Sequence, residues 1–206
     1  MLDFRIENLD ADEVERLRRI YEPLTQSVRD LVDATVRTEV DAEDVAAAKA
    51  EIDAATARLR TKQLDGAFGV RLDPGGDGMA WGNVVVGLRN PVAPPLVVHR
   101  EQSGLVWSEF ELGAAYEGPP GHVHGGVCAM ILDHVVGDAA SSPPKPAFTG
   151  TLTLRYLRPT PLGPLRAEAR VERIEGVKTF AVGHLADADG ITVEAEGVFI
   201  TPKWAR

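Results

Sequence analysis

The segment from residue 118 to residue 140, GPPGHVHGGVCAMILDHVVGDAA, decides the fold. Its first part is rich in proline and glycine and ends at His124-Gly125-Gly126, after which no further breaker occurs before Gly137. The apolar residues of the second part cover all sides of a helical wheel: Val127, Cys128, Ala129, Met130, Ile131, Leu132, Val135 and Val136. A helix that is apolar on all sides is a buried helix, so the pattern predicts a helix at the centre of the domain.

One carboxylate, Asp133, lies within this apolar segment. Burial removes hydration that is worth several kcal/mol to a carboxylate unless partners replace it. We therefore expect Asp133 to be paired, protonated or used in chemistry. Two interpretations stay open from the pattern: an aspartate satisfied by internal hydrogen bonds, and an active-site carboxylate.

The two glycines at the predicted helix start have a physical use. The first N–H groups of a helix lack partners, and glycine lets a carbonyl oxygen approach them closely, so Gly125 and Gly126 are candidates for an oxyanion site. Gly125 and Asp133 are, however, eight residues apart, which is about 12 Å along a helix. A symmetric dimer with two antiparallel helices would bring Gly125 of one copy to Asp133 of the other.

The stretch GHVHGGVCAMILD resembles the HGG…D signature of the PaaI-like hotdog-fold acyl-CoA thioesterases. The resemblance extends over residues 95 to 201 and includes the threonine-rich segment FTGTLTLRYLRP. It implies an α+β hotdog fold, in which an antiparallel sheet wraps around a long central helix and the sites lie at a dimer interface. The sequence agrees with this order: a half-buried strand within LVWSEFELG, then the helix, then strands near 147–158, 164–175, 177–187 and 191–201.

The resemblance also implies roles for individual residues. Asp133 would attack the thioester carbonyl or activate water, the Gly125 N–H would polarise that carbonyl, and Thr149 would hold the water or the carboxylate. His124 would orient the loop, cap the helix or contact substrate. The remaining expected substrate contacts are Gly126, Thr151, Arg155 and Arg158. Alternation along the strand predicts that Thr149, Thr151 and Thr153 share one face, opposite Leu152, Leu154 and Tyr156.

Position 118 departs from the family pattern. Many relatives carry Asn or Gln six residues before the histidine, where the side chain orients the carbonyl or water, and this chain has glycine there. The departure favours the alternative that the domain binds acyl-CoA without hydrolysing it.

Composition limits the classes of partner and compartment. The net charge is −9 and no apolar run reaches the length of a membrane span, so we expect neither nucleic-acid binding nor a transmembrane helix. Binding an anionic coenzyme A would need a local basic patch, for which the candidates are Arg155, Arg158, Arg166 and Lys145, each of which is alternatively a solvated surface residue. The single cysteine, Cys128, and the charged N-terminus favour a cytoplasmic protein.

No cofactor is expected. His122 and His124 form an H-x-H pair, but no further ligand cluster stands at metal-binding spacing. Cys128 lies four residues after His124, yet a cysteine inside an apolar helix is typically a packing residue rather than a nucleophile.

The N-terminal part is predicted to be a helical extension, residues 1–64, preceding the hotdog domain, residues 65–206. Asp10 with Glu13 indicates a capped helix start, Pro23 predicts an interruption or kink, and Asp41 can cap a second helix. An apolar stripe on that second helix indicates that the pair packs by one face: Val45, Ile52, Ala55 and Leu59. Dimer support, a cover over the domain and a lid over the acyl pocket are the roles considered.

The function expected from these features is hydrolysis of an acyl-CoA thioester to the free acid and coenzyme A, by a homodimer or homotetramer. Two alternatives remain: a non-catalytic acyl-CoA-binding module, and an enoyl-thioester hydratase. Acyl length and type cannot be inferred from the pattern.

Overall fold

The computed structural model describes residues 4–6, 9–72, 78–141 and 146–205. Most of the predicted turn at 73–78 and the predicted basic residue Lys145 therefore fall outside the described residues. The chain forms two compact units, one comprising residues 1–83 and 87–91 and the other residues 84–86 and 92–206. Residues 65–83 thus group with the helices rather than with the sheet, whereas the sequence predicts a boundary at 64; separate folding of a 1–64 extension stays a prediction.

The first unit contains two long helices, α1 (Ala11–Arg37) and α2 (Ala42–Arg60). Both begin at a capping aspartate as predicted: Asp10 accepts a hydrogen bond from the Glu13 N–H at 2.8 Å, and Asp41 accepts from the first turn of α2. Helix α1 continues through Pro23, so of the two predicted outcomes the interruption is wrong and the kink stays a prediction. Three short strands form a small sheet in the order given: β1 (Phe4–Ile6), β2 (Val70–Leu72) and β3 (Gly78–Met79).

Helix α2 carries its apolar stripe on the outside. None of its residues is buried, and Val45, Ile52 and Leu59 are all exposed in the single chain. The stripe therefore covers no core within this chain. Neither α1 nor α2, nor any other helix among the described residues, combines the length and hydropathy needed to cross a membrane.

The second unit is a six-stranded antiparallel sheet with one helix on its face. The strands are β4 (His99–Arg100), β5 (Val106–Leu112), β6 (Phe148–Tyr156), β7 (Gly163–Glu175), β8 (Lys178–Asp187) and β9 (Gly190–Ile200), and the helix is α3 (Gly125–Ala140). They stand in the order β4-β5-β7-β8-β9-β6, so β6 lies at an edge. A sheet wrapped around one central helix is the hotdog fold, which confirms the predicted fold class.

The core lies between α3 and the inward faces of the strands. Alternation along β5 buries Val106, Phe110 and Leu112 against the helix. Val136 of α3 packs against β8 at Gly183, which has no side chain. A Cβ at Gly183 would lie only 2.7 Å from Val136 Cγ2. The close approach of helix and sheet therefore depends on a missing side chain.

Helix α3 is not buried on all sides, contrary to the expectation from its composition. Its sheet side is fully buried, including Ile131, Leu132 and Val135. Residues spaced three or four apart on another side are only half-buried or exposed: Gly126, Met130 and Asp133. This series is referred to below as the open stripe of α3.

Candidate active site

His124 shapes the start of α3. It is the N-cap residue: its Nδ1 accepts the Gly126 N–H at 2.9 Å, and its carbonyl accepts the Val127 N–H at 2.9 Å. Of the three roles considered for His124, capping is therefore the one its own chain displays. Within the part of the chain that the structure describes, the Gly125 N–H donates no hydrogen bond, so it is available to an added acceptor.

Gly118 packs against the capping histidine. A Cβ at this position would lie 2.7 Å from His124 Cα, which real Cβ atoms do not tolerate. Gly118 also donates its N–H to the His122 carbonyl at 2.9 Å, inside a tight turn. The close contact explains the departure from the family pattern, because an Asn or Gln side chain at 118 would displace His124 and the helix start.

Asp133 and Thr149 meet across α3 and β6. The Thr149 hydroxyl donates to Asp133 Oδ1 at 2.9 Å. Asp133 is half-buried on the open stripe of α3, and Thr149 is exposed on the edge strand. The structure thus brings together two of the three predicted catalytic residues, and the carboxylate keeps one oxygen without this bond.

Strand β6 contains a bulge, which makes the predicted face of Thr149 wrong, whereas the alternation from Thr151 to Tyr156 agrees with the prediction. Thr149 pairs with Phe199 and Thr151 pairs with the adjacent Val198, so Gly150 is an extra residue between them. Neighbours on a strand point to opposite faces, which places Thr149 on the helix side with buried Phe199 and Thr151 on the outer side. Thr151 is therefore not brought to Asp133 within one chain.

Tyr156 lies at the other end of β6 and reaches the helix start. Its hydroxyl donates to the Gly125 carbonyl at 2.8 Å. Sequence reasoning assigned this residue no role, although it correctly placed Tyr156 on the face opposite Thr151 and Thr153. The signal that identifies it is the pattern of inner-face residues on β6: Thr149 contacts the middle of α3 and Tyr156 contacts its first residue.

The predicted basic patch consists of arginines that already have carboxylate partners. Arg155 lies on the outer face 3.4 Å from Glu194, and Arg166 contacts Glu109 and Glu168 at 2.6 Å each. Arg158 donates to both Asp187 oxygens and to the Gly190 carbonyl. The hydrogen bond with Asp187 raises the pKa of Arg158 and lowers that of the carboxyl.

Arg158 in particular does not fit the substrate-binding role expected for it. Its guanidinium ties the segment after β6 to the turn between β8 and β9, and the aspartate that it binds is almost fully buried. A substrate phosphate would have to displace a bidentate carboxylate, which is among the stronger polar contacts in proteins.

Two further titratable groups lie on α3. Cys128 is buried, its thiol lies 3.7 Å from the Thr160 hydroxyl, and burial raises its pKa. That environment disfavours the thiolate, in agreement with a packing role. Sequence reasoning missed His134, next to Asp133; burial lowers its pKa, against the opposing effects of Asp138 and Asp133, so a neutral imidazole is favoured.

Comparison with known proteins agrees with this architecture. A family model described as the thioesterase superfamily matches residues 120–194. Acyl-coenzyme A thioesterase THEM4 of Xenopus laevis is 36% identical over 94 residues, which are 44% of this chain and 42% of that protein. The THEM4 protein of Mus musculus is 35% identical over 96 residues, 45% of this chain and 41% of that protein. The matched stretch spans less than half the length of these curated relatives.

A solved structure resembles most of the chain. Protein RHA08564, a thioesterase superfamily protein, superposes with a TM-score of 0.78 and 35% sequence identity, covering 87% of this chain and 90% of that one. The likeness includes regions outside the stretch shared with the curated relatives. A match of this identity and coverage establishes the family: the chain belongs to the thioesterase superfamily.

Proposed function

We propose that this protein hydrolyses acyl-CoA thioesters to a free carboxylic acid and coenzyme A. The bond that breaks joins the acyl carbon to sulfur, the water oxygen becomes part of the carboxylate, and the thiol leaves with a proton. Asp133 acts as the general base for that water or attacks the carbonyl carbon itself. Family membership and the THEM4 relatives support the reaction class.

The single observation that carries the proposal is the hydrogen bond from Thr149 to Asp133, 2.9 Å long, on the open stripe of α3. A carboxylate held by one hydroxyl on an accessible helix side is oriented, yet it keeps acceptor capacity for a water proton. An aspartate of purely structural use would more typically have all its acceptor sites filled from within the chain. The arrangement therefore favours a reactive carboxylate.

The start of α3 supplies the second half of the proposed chemistry. The Gly125 N–H is unused within the described residues, and the helix dipole places positive potential there. Charge that develops on the thioester oxygen would be stabilised by this donor. Tyr156 fixes the Gly125 carbonyl, so the peptide group that follows the donor cannot rotate freely.

We further propose that the active form is a dimer with shared sites. The donor and the carboxylate stand eight residues apart on one helix, a separation of about 12 Å. The open stripe of α3 and the exposed edge strand β6 lie on one side of the second unit and are available to a second copy. Gly125 of one copy would then face Asp133 of the other.

The test is thiol release from short, long and aromatic acyl-CoAs by the wild type and by Asp133→Asn. The variant keeps shape and loses the proton-accepting charge, so turnover should fall by a factor on the order of 10² or more. Its melting temperature should stay the same or rise, since a half-buried charge is removed. Cys128 is 1% exposed, so the protein's own thiol adds little background.

Asp138→Asn is the matched control. Asp138 lies on the same helix and forms an ion pair with Arg100 at 3.2 Å, so its loss should lower stability slightly and leave hydrolysis intact. If Asp133→Asn hydrolyses as the wild type does and melts earlier, Asp133 is structural. A wild type that binds a non-hydrolysable acyl-CoA analogue but releases no thiol from any substrate would identify a binding module instead.

A further inference from the structure

The first unit contains a cavity of its own, of about 750 Å³. Residues from α1, from the segment after α2 and from the strands β2 and β3 line it, and all of them belong to the first unit. Its volume lies within the range of about 300–1,000 Å³ that is usual for small-molecule pockets. None of the roles proposed for the second unit uses this cavity.

The cavity wall has an uneven charge. Lys62, Arg71 and Arg89 line it, and none of the described residues that line it is acidic. This is unusual in a chain with a net charge of −9. A concave surface that carries charges of one sign, here positive, attracts and concentrates anions.

The arginines are held by aromatic rings. The Arg89 guanidinium lies 3.6 Å from the centroid of the Tyr21 ring and 5.3 Å from that of Phe68, and Arg71 lies 4.2 Å from the Phe68 centroid. Phe68 in turn stacks on Trp81 at 6.2 Å. Stacking uses the face of the Arg89 guanidinium and leaves its N–H donors directed along the plane, where they suit the two oxygens of a carboxylate.

The rest of the wall is apolar. Met79 and Trp81 are buried at its base, and leucines from α1 and the segment after α2 complete it, among them Leu17, Leu24 and Leu64. A ligand needs an apolar body to cover this wall and an anionic head to pair with the cations. The combination excludes a small hydrophilic anion as the best fit, because it would leave most of the wall uncovered.

We propose that the first unit binds an amphiphilic carboxylate, with an aliphatic tail against the leucines and Trp81 and the carboxylate at Arg89. This site is separate from the chemistry of Asp133 and does not depend on it. Decanoate is a suitable probe because it combines a flexible ten-carbon chain with a single carboxylate.

Trp81 offers a local readout. The other two tryptophans, Trp107 and Trp204, belong to the second unit, so a Trp107→Phe/Trp204→Phe double variant reports on the first unit alone. Decanoate, added below its micelle concentration to this full-length variant, should change the Trp81 emission saturably. Decanol and decyltrimethylammonium have the same tail as decanoate but no carboxylate, so their affinities should be lower by roughly tenfold or more. Added NaCl should weaken decanoate binding.

Arg89→Gln, in the same background, should weaken decanoate binding by roughly tenfold or more. Arg19→Gln is the matched control, because Arg19 is on α1, pairs with Glu15 and does not line the cavity. Lys62→Gln, at an exposed position of the wall, provides a second variant that removes a cation without disturbing the stacked rings.

Three results would overturn the proposal. The first is the absence of saturable binding, which would leave the cavity to a protein segment or to solvent. The second is equal binding of decanol and decanoate. The third is unchanged binding in both Arg89→Gln and Lys62→Gln; if Arg89→Gln does not fold, the ligand series and Lys62→Gln decide.

Discussion

Thr149 and Thr151 carry the same side chain on the same strand, yet they lie on opposite faces of β6 because Gly150 is bulged between them. Only Thr149 reaches Asp133, through a 2.9 Å hydrogen bond. Thr149→Val should therefore lower thioester turnover by roughly tenfold, the expected cost of a hydrogen bond to a charged group. Thr151→Val should leave turnover near that of the wild type.

The comparison is well matched because both substitutions exchange a hydroxyl for a methyl group on an exposed strand position. Steady-state kinetics with one acyl-CoA and thermal unfolding of both variants provide the measurement. Equal losses in the two variants would contradict the assigned faces. A loss in Thr151→Val alone would contradict the role assigned to Thr149, because simple alternation places both threonines on one face.

At this scale the sequence was informative where chemistry depends on residue type and spacing. Asp133 and Thr149 meet as the family pattern implies, and His124 caps the helix that it precedes. The face of Thr149 could not be predicted, because a bulge depends on how two strands pair and leaves no periodic signal. Nor could the partners of Arg158, because Asp187 is distant in sequence and becomes a neighbour only in the folded sheet.

An ion pair ties the turn of the β8–β9 hairpin to the segment after β6. Arg158 binds Asp187 in bidentate fashion, and Asp187 also accepts the Asp189 N–H at 2.8 Å. The Arg158 hydrogen bond holds the pKa of the Asp187 carboxyl below its usual value. Asp187 thus joins three elements of the sheet with one side chain.

This ion pair predicts a pH-dependent contribution to stability. A carboxyl whose pKa is lower in the folded state stabilises the fold above its unfolded pKa of about 3.9. That contribution disappears as the pH falls through the lowered folded value. Asp187→Asn should therefore melt below the wild type at pH 7, and the difference should begin to shrink as the pH falls below about 4 and vanish only below the lowered pKa of the folded state. Calorimetric melting of both proteins across this range is the measurement; a difference that grows on acidification would contradict it.

Most elements of the second unit were predictable, since β5, α3 and the four later strands follow alternation, apolar content and hairpin turn residues. The open stripe of α3 was not, because its glycine and methionine are as apolar as the buried side. Composition cannot distinguish a helix surface that contacts the sheet from one that is left uncovered within a single chain. Pro23 left two predictions open, an interruption or a kink, and the length of the surrounding helix α1 excludes the interruption.

Shared sites can be tested at the scale of the whole molecule by complementation. Gly125→Pro removes only the proposed N–H donor, because proline is well tolerated at the first position of a helix and His124 already has an extended backbone. Gly125→Pro and Asp133→Asn should each be inactive as homodimers. In a mixed dimer one site would have both wild-type groups, so random reassociation should restore about a quarter of wild-type activity.

Size exclusion with light scattering should give a dimer or tetramer for the wild type and for both variants. The unmixed variants, reassociated separately by the same procedure, are the controls. If the mixture stays as inactive as its components while mixed dimers demonstrably form, each site uses Gly125 and Asp133 of one chain. A monomeric, active wild type would likewise exclude shared sites.

The division of the chain into units has a consequence for exchanging parts between relatives. The chain passes from one unit to the other three times, because residues 84–86 belong to the second unit and residues 87–91 return to the first. Val85 is buried in the core of the second unit. A chimera joined after residue 64 or 83 would therefore pair a foreign first unit with a native 87–91 segment. A recombination junction after residue 91 avoids this mismatch, but the exchanged segment then includes position 85. The first unit can therefore be exchanged between relatives only together with one core residue of the second unit.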